Sequence, residues 1–379
     1  MFAGFLATLL AVLAVWASEL AAAAPAAART VQLGAYYCPT DSCDATSAGT
    51  LDAYRERFGR YPAIALNFRD LDQPLVYPGE GEGLRSRGVT PMLTVEPVVT
   101  RKGREEEIPN AAIAGGRYDT EIEADARAAK RFGAPLLLRY AQEMNASWFP
   151  GRSADGSEFV AAWRRYVTIF RREGADNAAF VWTPIVEGTA TKPFAAFFPG
   201  EEFVDYVGLD GYNWGGESRR SFGEVFAGGY ARVTALSSKS VVIGETASAP
   251  GPEKAAWIRD AFLREIPHRF PAIAAVAWFS KDLSQEGQRD WRIETSPDAV
   301  AAWREVLGTT PYGGDEPLPP EQVGTPPRVG TPPERVAKPP ESGGGDQARR
   351  RPHGPTPLQL LLLDVALWLG RLAGVSLGH

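Results

Sequence analysis

Short apolar runs recur along the chain between Arg29 and Gly308. Each run is almost continuously apolar and contains β-branched residues, a pattern typical of strands that are buried on both faces. The runs occupy residues 31–37, 62–68, 89–97, 135–140, 178–184, 204–212, 240–246 and 273–279. We therefore predict that each run is a buried strand.

Stretches with helical spacing of apolar residues separate most of these runs. The clear ones occupy 119–133, 155–174, 252–270 and 296–307, and Ser or Asp stands at suitable N-cap positions. The intervals after the second and fifth runs are poorer helices. The chain therefore alternates between strand and helix.

This alternation predicts a (β/α)8 TIM barrel as a single domain over residues 30–309. Eight strands alternating with helices over about 280 residues match that fold in count and length. An open doubly wound sheet is the alternative, but it more often has fewer strands and a glycine-rich phosphate loop after the first. No GxGxxG spacing follows the first run.

The N-terminal segment 1–29 predicts export. Residues 2–16 form an apolar run, and an Ala-rich stretch follows, as in a secretory signal with a small-residue cleavage region. The positively charged start of such a signal is missing, and an uncleaved membrane anchor is the alternative. Both interpretations place the following domain outside the cytoplasm, as a secreted, periplasmic or cell-surface protein, and the anchor alternative would associate it with the membrane.

The composition changes after Gly308. Residues 310–357 are rich in Pro, Gly and charge and contain the repeat VGTPPR–VGTPPE, which predicts an extended, disordered linker. The hydrophobic tail 358–379 is long enough to span a bilayer, but Asp364 and Arg371 would each cost about 2.5–3.5 kcal/mol near its centre. A helix that lies on a membrane surface or binds a protein partner fits this tail better.

Charge and cysteine content narrow the class of protein. The net charge is −6 and the predicted domain has no basic block, so we expect no nucleic-acid partner. Cys38 and Cys43 have no His near them, which disfavours zinc. We expect a disulfide if the protein is exported, with free thiols as the alternative, and we expect a monomer.

In a TIM barrel the chemistry lies at the carboxyl ends of the strands. The residues at the predicted strand ends are Tyr36, Tyr37, Glu96, Arg139, Glu143, Trp182, Asp210, Tyr212, Asn213, Trp214, Glu245, Trp278 and Lys281. The ring contains neither His nor Cys from the third strand onward, which argues against a metal centre, a cofactor and a Ser-His or Cys-His nucleophile. Paired carboxylates with aromatic neighbours suit glycoside hydrolysis.

Four segments then resemble glycoside hydrolase family 26, the mannanase-like group of the retaining (β/α)8-barrel clan. LLLRYAQEMNASWFP is similar to that family's fourth-strand segment and VDYVGLDGYNWG to its sixth-strand segment. VVIGETAS resembles the seventh-strand segment and WFSKDLSQEGQRDWRI the region of the eighth. The resemblance covers about residues 31–307 and has the segments in the correct order.

The resemblance implies roles for particular residues. Glu143 matches the general acid/base, Glu245 the nucleophile, and Tyr212 the tyrosine that hydrogen-bonds the nucleophile. Trp278 matches an aromatic residue at the sugar. Arg139 is expected to orient the carboxylates.

Five further residues complete the predicted substrate-binding set. Trp148 is expected to face the substrate, whereas Glu96, Trp182 and Trp214 are divided between substrate contact and structural packing. Gln142 stands where the family usually has His, and we expect it to contact the sugar. The tripeptide at Asn145 matches a glycosylation acceptor, but a position in a cleft argues against that use.

The predicted protein is an exported, retaining endo-β-glycosidase that hydrolyses a β-linked polysaccharide by double displacement. Mannan, β-glucan, xylan and an exopolysaccharide are the candidate substrates. Gln142, together with Gly151 where the family often has a further Trp, weakens the case for mannan. These two residues also motivate the alternative, a carbohydrate-binding or scaffold protein that keeps the barrel without turnover.

Overall fold

A computed structural model describes residues 30–40, 43–101, 104–149, 152, 154–309 and 312. The predicted leader 1–29 lies outside the described residues. The predicted tail 358–379 and, apart from Tyr312, the predicted linker 310–357 also lie outside them.

Eight parallel strands close into a barrel, which confirms the predicted (β/α)8 fold. In chain order the barrel strands are β1 Gln32–Cys38, β2 Ile64–Asp70, β3 Thr90–Glu96, β6 Leu136–Tyr140, β7 Ala178–Trp182, β8 Tyr206–Asn213, β9 Val241–Ser248 and β10 Ile273–Lys281. The antiparallel hairpin of β4 Val98–Arg101 and β5 Arg104–Glu107 lies between β3 and β6 and was not predicted. Each apolar run overlaps one barrel strand.

Helices surround the barrel, and the clear ones coincide with the predicted stretches. The helices of the described residues are α1 Ala48–Phe58, α2 Glu80–Arg85, α3 Asn110–Ala114, α4 Asp119–Phe132, α5 Gly156–Glu173, α6 Phe222–Leu236, α7 Lys254–Arg259, α8 Ile266–Arg269 and α9 Pro297–Leu307. A π-helical segment, Asp260–Glu265, joins α7 to α8. Within the described ranges, no helix is both long enough and apolar enough to cross a membrane.

The poorer helical intervals are short or irregular in the structure. The interval after β2 contains the six-residue α2, and the interval after β7 contains the 3-10 turns Phe194–Phe197 and Glu201–Phe203. By contrast, α5 and α9 begin at the side-chain caps expected of them. Asp155 accepts a hydrogen bond from the Ser157 N–H, and Ser296 accepts one from the Ala299 N–H.

Two apolar layers hold the barrel together. The barrel interior is filled by Ile64, Leu66, Met92, Leu137, Ala179, Val181, Tyr206, Val242, Ala275 and Ala277. A larger core separates the strands from the helices. Because successive side chains of a strand point to opposite faces, every second residue belongs to the interior layer. The packed interior leaves the strand ends as the place for a site.

The predicted disulfide joins Cys38 to Cys43, with their Cα atoms 5.5 Å apart. Cys38 is the last residue of β1, so the bond ties the following loop to the barrel rim. Tyr37, the residue before it, packs on Tyr54 of α1.

A buried carboxyl group between two helices makes stability depend on pH. Asp125 of α4 is 4% exposed and accepts a hydrogen bond from the Tyr166 hydroxyl of α5 at 2.9 Å. Burial raises the pKa of Asp125 to about 8. The folded state therefore keeps a proton that the unfolded chain releases near pH 4, so stability declines as pH rises from about 4 to about 8.

We expect Asp125→Asn to remove this pH dependence. An amide keeps the Tyr166 hydrogen bond and carries no charge. The variant should match the wild type near pH 4 and exceed its free energy of unfolding by roughly 2–5 kcal/mol at pH 8. Urea denaturation of both proteins across this range measures the difference. A difference that does not change with pH would contradict the buried, protonated carboxyl group.

Candidate active site

The carboxyl ends of the barrel strands open into a cleft of about 1920 Å³. Small-molecule pockets typically measure about 300–1,000 Å³, so this cleft has room for several sugar units. Among the predicted site residues, its lining includes Glu96, Gln142, Glu143, Trp148, Tyr212, Trp214 and Glu245. The structure therefore brings together residues from four separate regions of the chain.

Glu245 lies on β9 at the floor of the cleft and is 5% exposed. The Arg139 Nη1 donates to Glu245 Oε1 at 3.0 Å, and the Tyr212 hydroxyl donates to Oε2 at 2.6 Å. Both carboxylate oxygens therefore accept a hydrogen bond, one of them from a cation. The charge-assisted hydrogen bond from Arg139 and the bond from Tyr212 fix the orientation of this carboxylate in the cleft.

One extra residue in β9 turns Glu245 toward the cleft. The register between β8 and β9 shifts immediately before Asp210 pairs with Glu245, and the residue left over is Gly244. A Cβ atom on Gly244 would lie 2.6 Å from Asp210 Oδ1 and 3.0 Å from Arg139 Cζ. A larger residue would therefore displace the groups that hold Glu245.

Glu143 follows β6 in a tight loop whose backbone is strained. The φ angle is 49° at Ala141 and 52° at Glu143, in the left-handed region that costs a non-glycine residue about 1–3 kcal/mol. The Glu143 N–H donates to the Thr183 carbonyl at 2.9 Å, which ties the loop to the end of β7. Strain of this kind persists only where the surroundings impose it.

The carboxyl group of Glu143 is half-buried and carries a raised pKa. Burial, followed by the negative charge of Glu245, raises the pKa of Glu143 to about 7. The Trp148 indole donates to Glu143 Oε2 at 2.8 Å, and this bond and the charge of Arg139 act in the opposite direction. A large fraction of Glu143 therefore keeps its proton at neutral pH, as a general acid requires.

Asp210 is a third carboxyl group at the site, and its part was missed because it was only noted as a strand-end residue. It lies on β8, is 0% exposed, and receives Arg139 Nη2 at 2.6 Å on Oδ2. Its Oδ1 has no hydrogen-bond partner among the described residues. Burial raises the pKa of Asp210 well above its usual range, while Arg139 opposes this rise.

Arg139 is wholly buried beneath these carboxyl groups. Its Nε donates to the Thr183 hydroxyl at 2.9 Å, and its other nitrogens reach Asp210 and Glu245. The orienting role expected for Arg139 matches this geometry. A buried guanidinium with such partners fixes the carboxylates in place.

Gln142 belongs to a second polar cluster on the cleft wall. Its Nε2 donates to Glu96 Oε1 at 3.2 Å, and its Oε1 accepts from Arg152 Nη1 at 3.1 Å. Arg152 is 1% exposed, donates to Glu96 at 2.8 Å, and lies 3.8 Å from the Phe149 ring centroid. Glu96 thus lines the cleft and is also ion-paired. Sequence reasoning missed Arg152, because its ion-pair partner Glu96 lies 56 residues away in the chain.

The prediction that Trp278 faces the substrate is wrong, and of the two roles left open for Trp182 the structure shows structural packing. Both are 0% exposed and belong to the outer core. The Trp278 indole donates to the Trp291 carbonyl at 2.8 Å, and the Trp182 indole donates to the Phe197 carbonyl at 3.1 Å. Strand alternation is the cause, since it directs Trp278 toward the helices and its neighbour Phe279 toward the cleft.

Several aromatic residues of the cleft escaped sequence reasoning. Phe279 stacks on Tyr36 with ring centroids 5.0 Å apart, and Phe68 meets Tyr36 edge-on at 5.2 Å. Trp291 packs edge-on against the half-buried Trp214 at 5.0 Å. Every second residue of a strand points to the same face, so counting on from Ala275 and Ala277 along β10 could have placed Phe279 in the cleft.

Asn145 is a structural residue. It is 0% exposed, its Nδ2 donates to the carbonyls of Ile185 and Lys192, and its Oδ1 accepts from the Ile185 N–H at 3.0 Å. Its amide therefore ties the Glu143 loop to the loop after β7. Such burial agrees with the argument against a glycosylated asparagine. Over the described ranges, no group of three or more His, Cys, Asp or Glu residues could hold a metal ion.

The fold and the positions of the two glutamates can be compared with those of known protein families. Two glutamates stand at the carboxyl ends of the fourth and seventh strands of a (β/α)8 barrel, as the sequence motifs indicated. Residues 115–291 match the family model described as Glycosyl hydrolase family 26. The predicted resemblance to that family is therefore confirmed.

Individual proteins agree with the family match. The chain is 32% identical over 278 residues to Endoglucanase H of Acetivibrio thermocellus, covering 69% of this chain and 29% of that protein. It is 26% identical over 255 residues to the mannan endo-1,4-beta-mannosidase of Bacillus subtilis strain 168, covering 63% of this chain and 60% of the relative. The chain thus spans less than a third of Endoglucanase H.

A solved structure supports the fold. The catalytic domain of the Bacillus sp. JAMB-750 GH26 endo-beta-1,4-mannanase superposes with a TM-score of 0.55 at 16% identity. The superposition covers 74% of this chain and 86% of that chain. Likeness at this identity shows a shared fold.

We expect Trp278→Ala to destabilise the fold strongly, because it empties a buried site and removes the hydrogen bond to Trp291. The free energy of unfolding should fall by about 3–5 kcal/mol. Trp214→Ala is the matched control on the cleft surface and should cost about 1 kcal/mol. Urea denaturation measures both. Near wild-type stability in Trp278→Ala would show that its ring is not packed in the core.

Proposed function

We propose that the protein is a retaining endo-β-glycosidase that hydrolyses a β-linked polysaccharide by double displacement. The observation that carries this proposal is the contrast between two carboxyl groups in one cleft. Glu245 is held by a cation and a hydroxyl group, whereas Glu143 is half-buried with its pKa raised to about 7. Different environments of this kind assign one carboxyl group as nucleophile and the other as acid.

In the first step, an oxygen of Glu245 attacks the anomeric carbon while Glu143 gives its proton to the leaving glycosidic oxygen. The bond between the anomeric carbon and that oxygen breaks, and a covalent glycosyl–Glu245 ester forms. Tyr212 and Arg139 keep the Glu245 carboxylate oriented for the attack. The Trp148 indole donates a hydrogen bond to the Glu143 carboxyl group and so fixes its orientation.

In the second step, Glu143 is a carboxylate and takes a proton from the incoming water. The water oxygen bonds to the anomeric carbon, and Glu245 leaves as a carboxylate. Two inversions restore the β configuration. The same group serves as acid and then as base because forming the ester removes the negative charge of Glu245, which lowers the pKa of Glu143.

The shape of the cleft supports a polymeric substrate and cleavage within the chain. Its volume of about 1920 Å³ exceeds what a single sugar unit fills. Aromatic side chains that line it, including Trp148, Trp214, Trp291 and Phe279, offer flat apolar faces to sugar rings.

The substrate is proposed from four candidates, namely β-glucan, mannan, xylan and an exopolysaccharide. The relatives bear the names Endoglucanase H, Beta-1,3-xylanase TXYA and mannan endo-1,4-beta-mannosidase, which supports a β-linked glycan. Gln142 is fixed by Arg152 and Glu96 and presents an amide where a mannanase of this family usually has His. Products released from these polymers would identify the glycan.

Export is proposed as well. The Cys38–Cys43 disulfide supports an oxidising compartment, and the apolar run at 2–16 supports a secretory signal. N-terminal sequencing of protein recovered outside the cytoplasm tests this proposal, and recovery in the cytoplasm alone would reject it.

We expect Glu245→Gln to abolish hydrolysis, with a loss of at least about 1000-fold in kcat, because an amide cannot form the glycosyl ester. The wild type should release products that retain the β-anomer, as seen by NMR within the first minutes. A fluorinated glycoside should label Glu245. Arg264→Gln, far from the cleft, is the control.

Two results would change the conclusion. Products with inverted configuration would reject double displacement. A protein that binds the glycans, cleaves none of them and takes no label would instead be the carbohydrate-binding or scaffold protein that keeps the barrel without turnover.

A further inference from the structure

The cleft is electrically asymmetric. The loops after β8 and β10 form one side, here called the basic wall, which carries Arg219, Arg220, Lys281 and Arg289 against Glu217 and Glu286. The ends of β2 and β3, the β4–β5 hairpin and the loop after β6 form the other side, here called the acidic wall, which carries Asp70, Glu96, Glu105 and Glu107 against Arg152. The two walls therefore have opposite net charge.

Lys281 is the cation set deepest in the basic wall. It is the last residue of β10 and lies on the same face as Ala277 and Phe279, so its side chain faces the cleft. The residue is half-buried, and its ammonium group makes no hydrogen bond or ion pair with a residue that the structure describes. A cation in this position favours an anionic ligand.

The carboxylates nearest in sequence do not neutralise Lys281. Asp282 and Asp290 both pair with Arg292, at 3.0 Å and 2.6 Å. Neither of them lines the cleft. Both aspartates are therefore ion-paired with Arg292 outside the cleft lining.

Arg289 places a second cation beside an aromatic ring. Its Nε donates to the Trp214 carbonyl at 3.2 Å, and its guanidinium lies 6.0 Å from the Trp214 ring centroid. The side chain is exposed at the edge of the cleft, and its Nη2 makes no hydrogen bond within the described part of the chain. A sugar ring stacked on Trp214 would bring a substituent of the sugar close to the Arg289 guanidinium group.

The acidic wall would repel the same ligand. Burial and the neighbouring carboxylates Glu96, Glu105 and Asp72 raise the pKa of Asp70 to about 6, although Arg152 opposes them. A negative charge brought to this wall would meet four carboxylates, which share the single cation Arg152. An anionic sugar unit is therefore favoured at one end of the cleft and disfavoured at the other.

We propose that the basic wall binds the carboxylate of a uronic acid unit in the β-linked glycan, through Lys281 and Arg289 beside Trp214. This proposal rests on the proposed function, because a glycan must occupy the cleft. Arginine pairs with carboxylates through two parallel hydrogen bonds, and lysine contributes a point charge. The preferred substrate is then a heteroglycan with spaced acidic units, since the acidic wall excludes a uniformly acidic chain.

Calorimetric binding of defined hexasaccharides tests the proposal. Cellohexaose and mannohexaose are each used in neutral form and with a single C6 carboxylate on either the non-reducing or the reducing end unit. Glu143→Gln protein is used to prevent turnover. At low salt, one of the two acidic isomers should bind about tenfold more tightly than its neutral parent. Added salt should reduce this preference.

Charge variants locate the effect. Lys281→Gln should reduce the preference to about threefold or less, because it weakens binding of the acidic isomer more than binding of the neutral hexasaccharide. Arg264→Gln removes the same charge from a side chain that is 78% exposed and outside the cleft, and it should keep the full preference. Equal binding of acidic and neutral forms, or equal losses in Lys281→Gln for both, would overturn the proposal.

Hydrolysis by the wild type separates this proposal from the proposed function. Cleavage of neutral polymers without an acidic preference would leave the glycosidase standing and reject the uronic acid site. Selective binding of one acidic isomer without any cleavage would retain the site and reject the glycosidase.

Discussion

One buried guanidinium sets the chemistry of this cleft. Arg139 contacts Asp210 and Glu245 directly, and its charge also acts on Glu143. Burial outweighs this single positive charge, so the pKa values of both Glu143 and Asp210 are raised. Glu245 accepts hydrogen bonds from Arg139 and Tyr212, whereas Glu143 accepts one from the Trp148 indole, and burial raises the pKa of Glu143 to about 7.

The backbone around Arg139 is shaped to permit this arrangement. Gly244 leaves space for the guanidinium, and the extra residue in β9 turns Glu245 inward. On the opposite side, the left-handed conformations of Ala141 and Glu143 carry the acid over the barrel mouth. Asn145 then ties that loop to the loop after β7. Side-chain chemistry at the site therefore depends on backbone features one or two residues away.

Sequence patterns predicted the strands well because barrel strands are buried on both faces and read as continuous apolar runs. The same continuity hides which residue of a pair points inward. For this reason Trp278 was assigned to the cleft in place of Phe279, and the role of Trp182, which packs in the outer core, was left open. Glu143 and Glu245 were found because each follows an apolar run within a recognisable segment.

Other features had no local signal. The β5 strand consists of charged residues and carries no apolar pattern, so the hairpin was not expected. The role of Arg152 depends on Glu96 and on Gln142, and only folding brings all three together. Likewise, the opposite charges of the two cleft walls arise from loops that follow different strands. Tertiary proximity, which a single sequence does not display, accounts for these omissions.

The central claim is that Glu143 holds a proton near neutrality because of burial and the neighbouring Glu245 charge. The most direct measurement is an NMR titration of the carboxyl carbons in glutamate-labelled protein, with Glu143→Gln used to assign the resonance. The account predicts a pKa of about 7 for Glu143, which falls when Glu245 is replaced by Gln. A Glu143 carboxyl group that titrates near pH 4 in the wild type would contradict it.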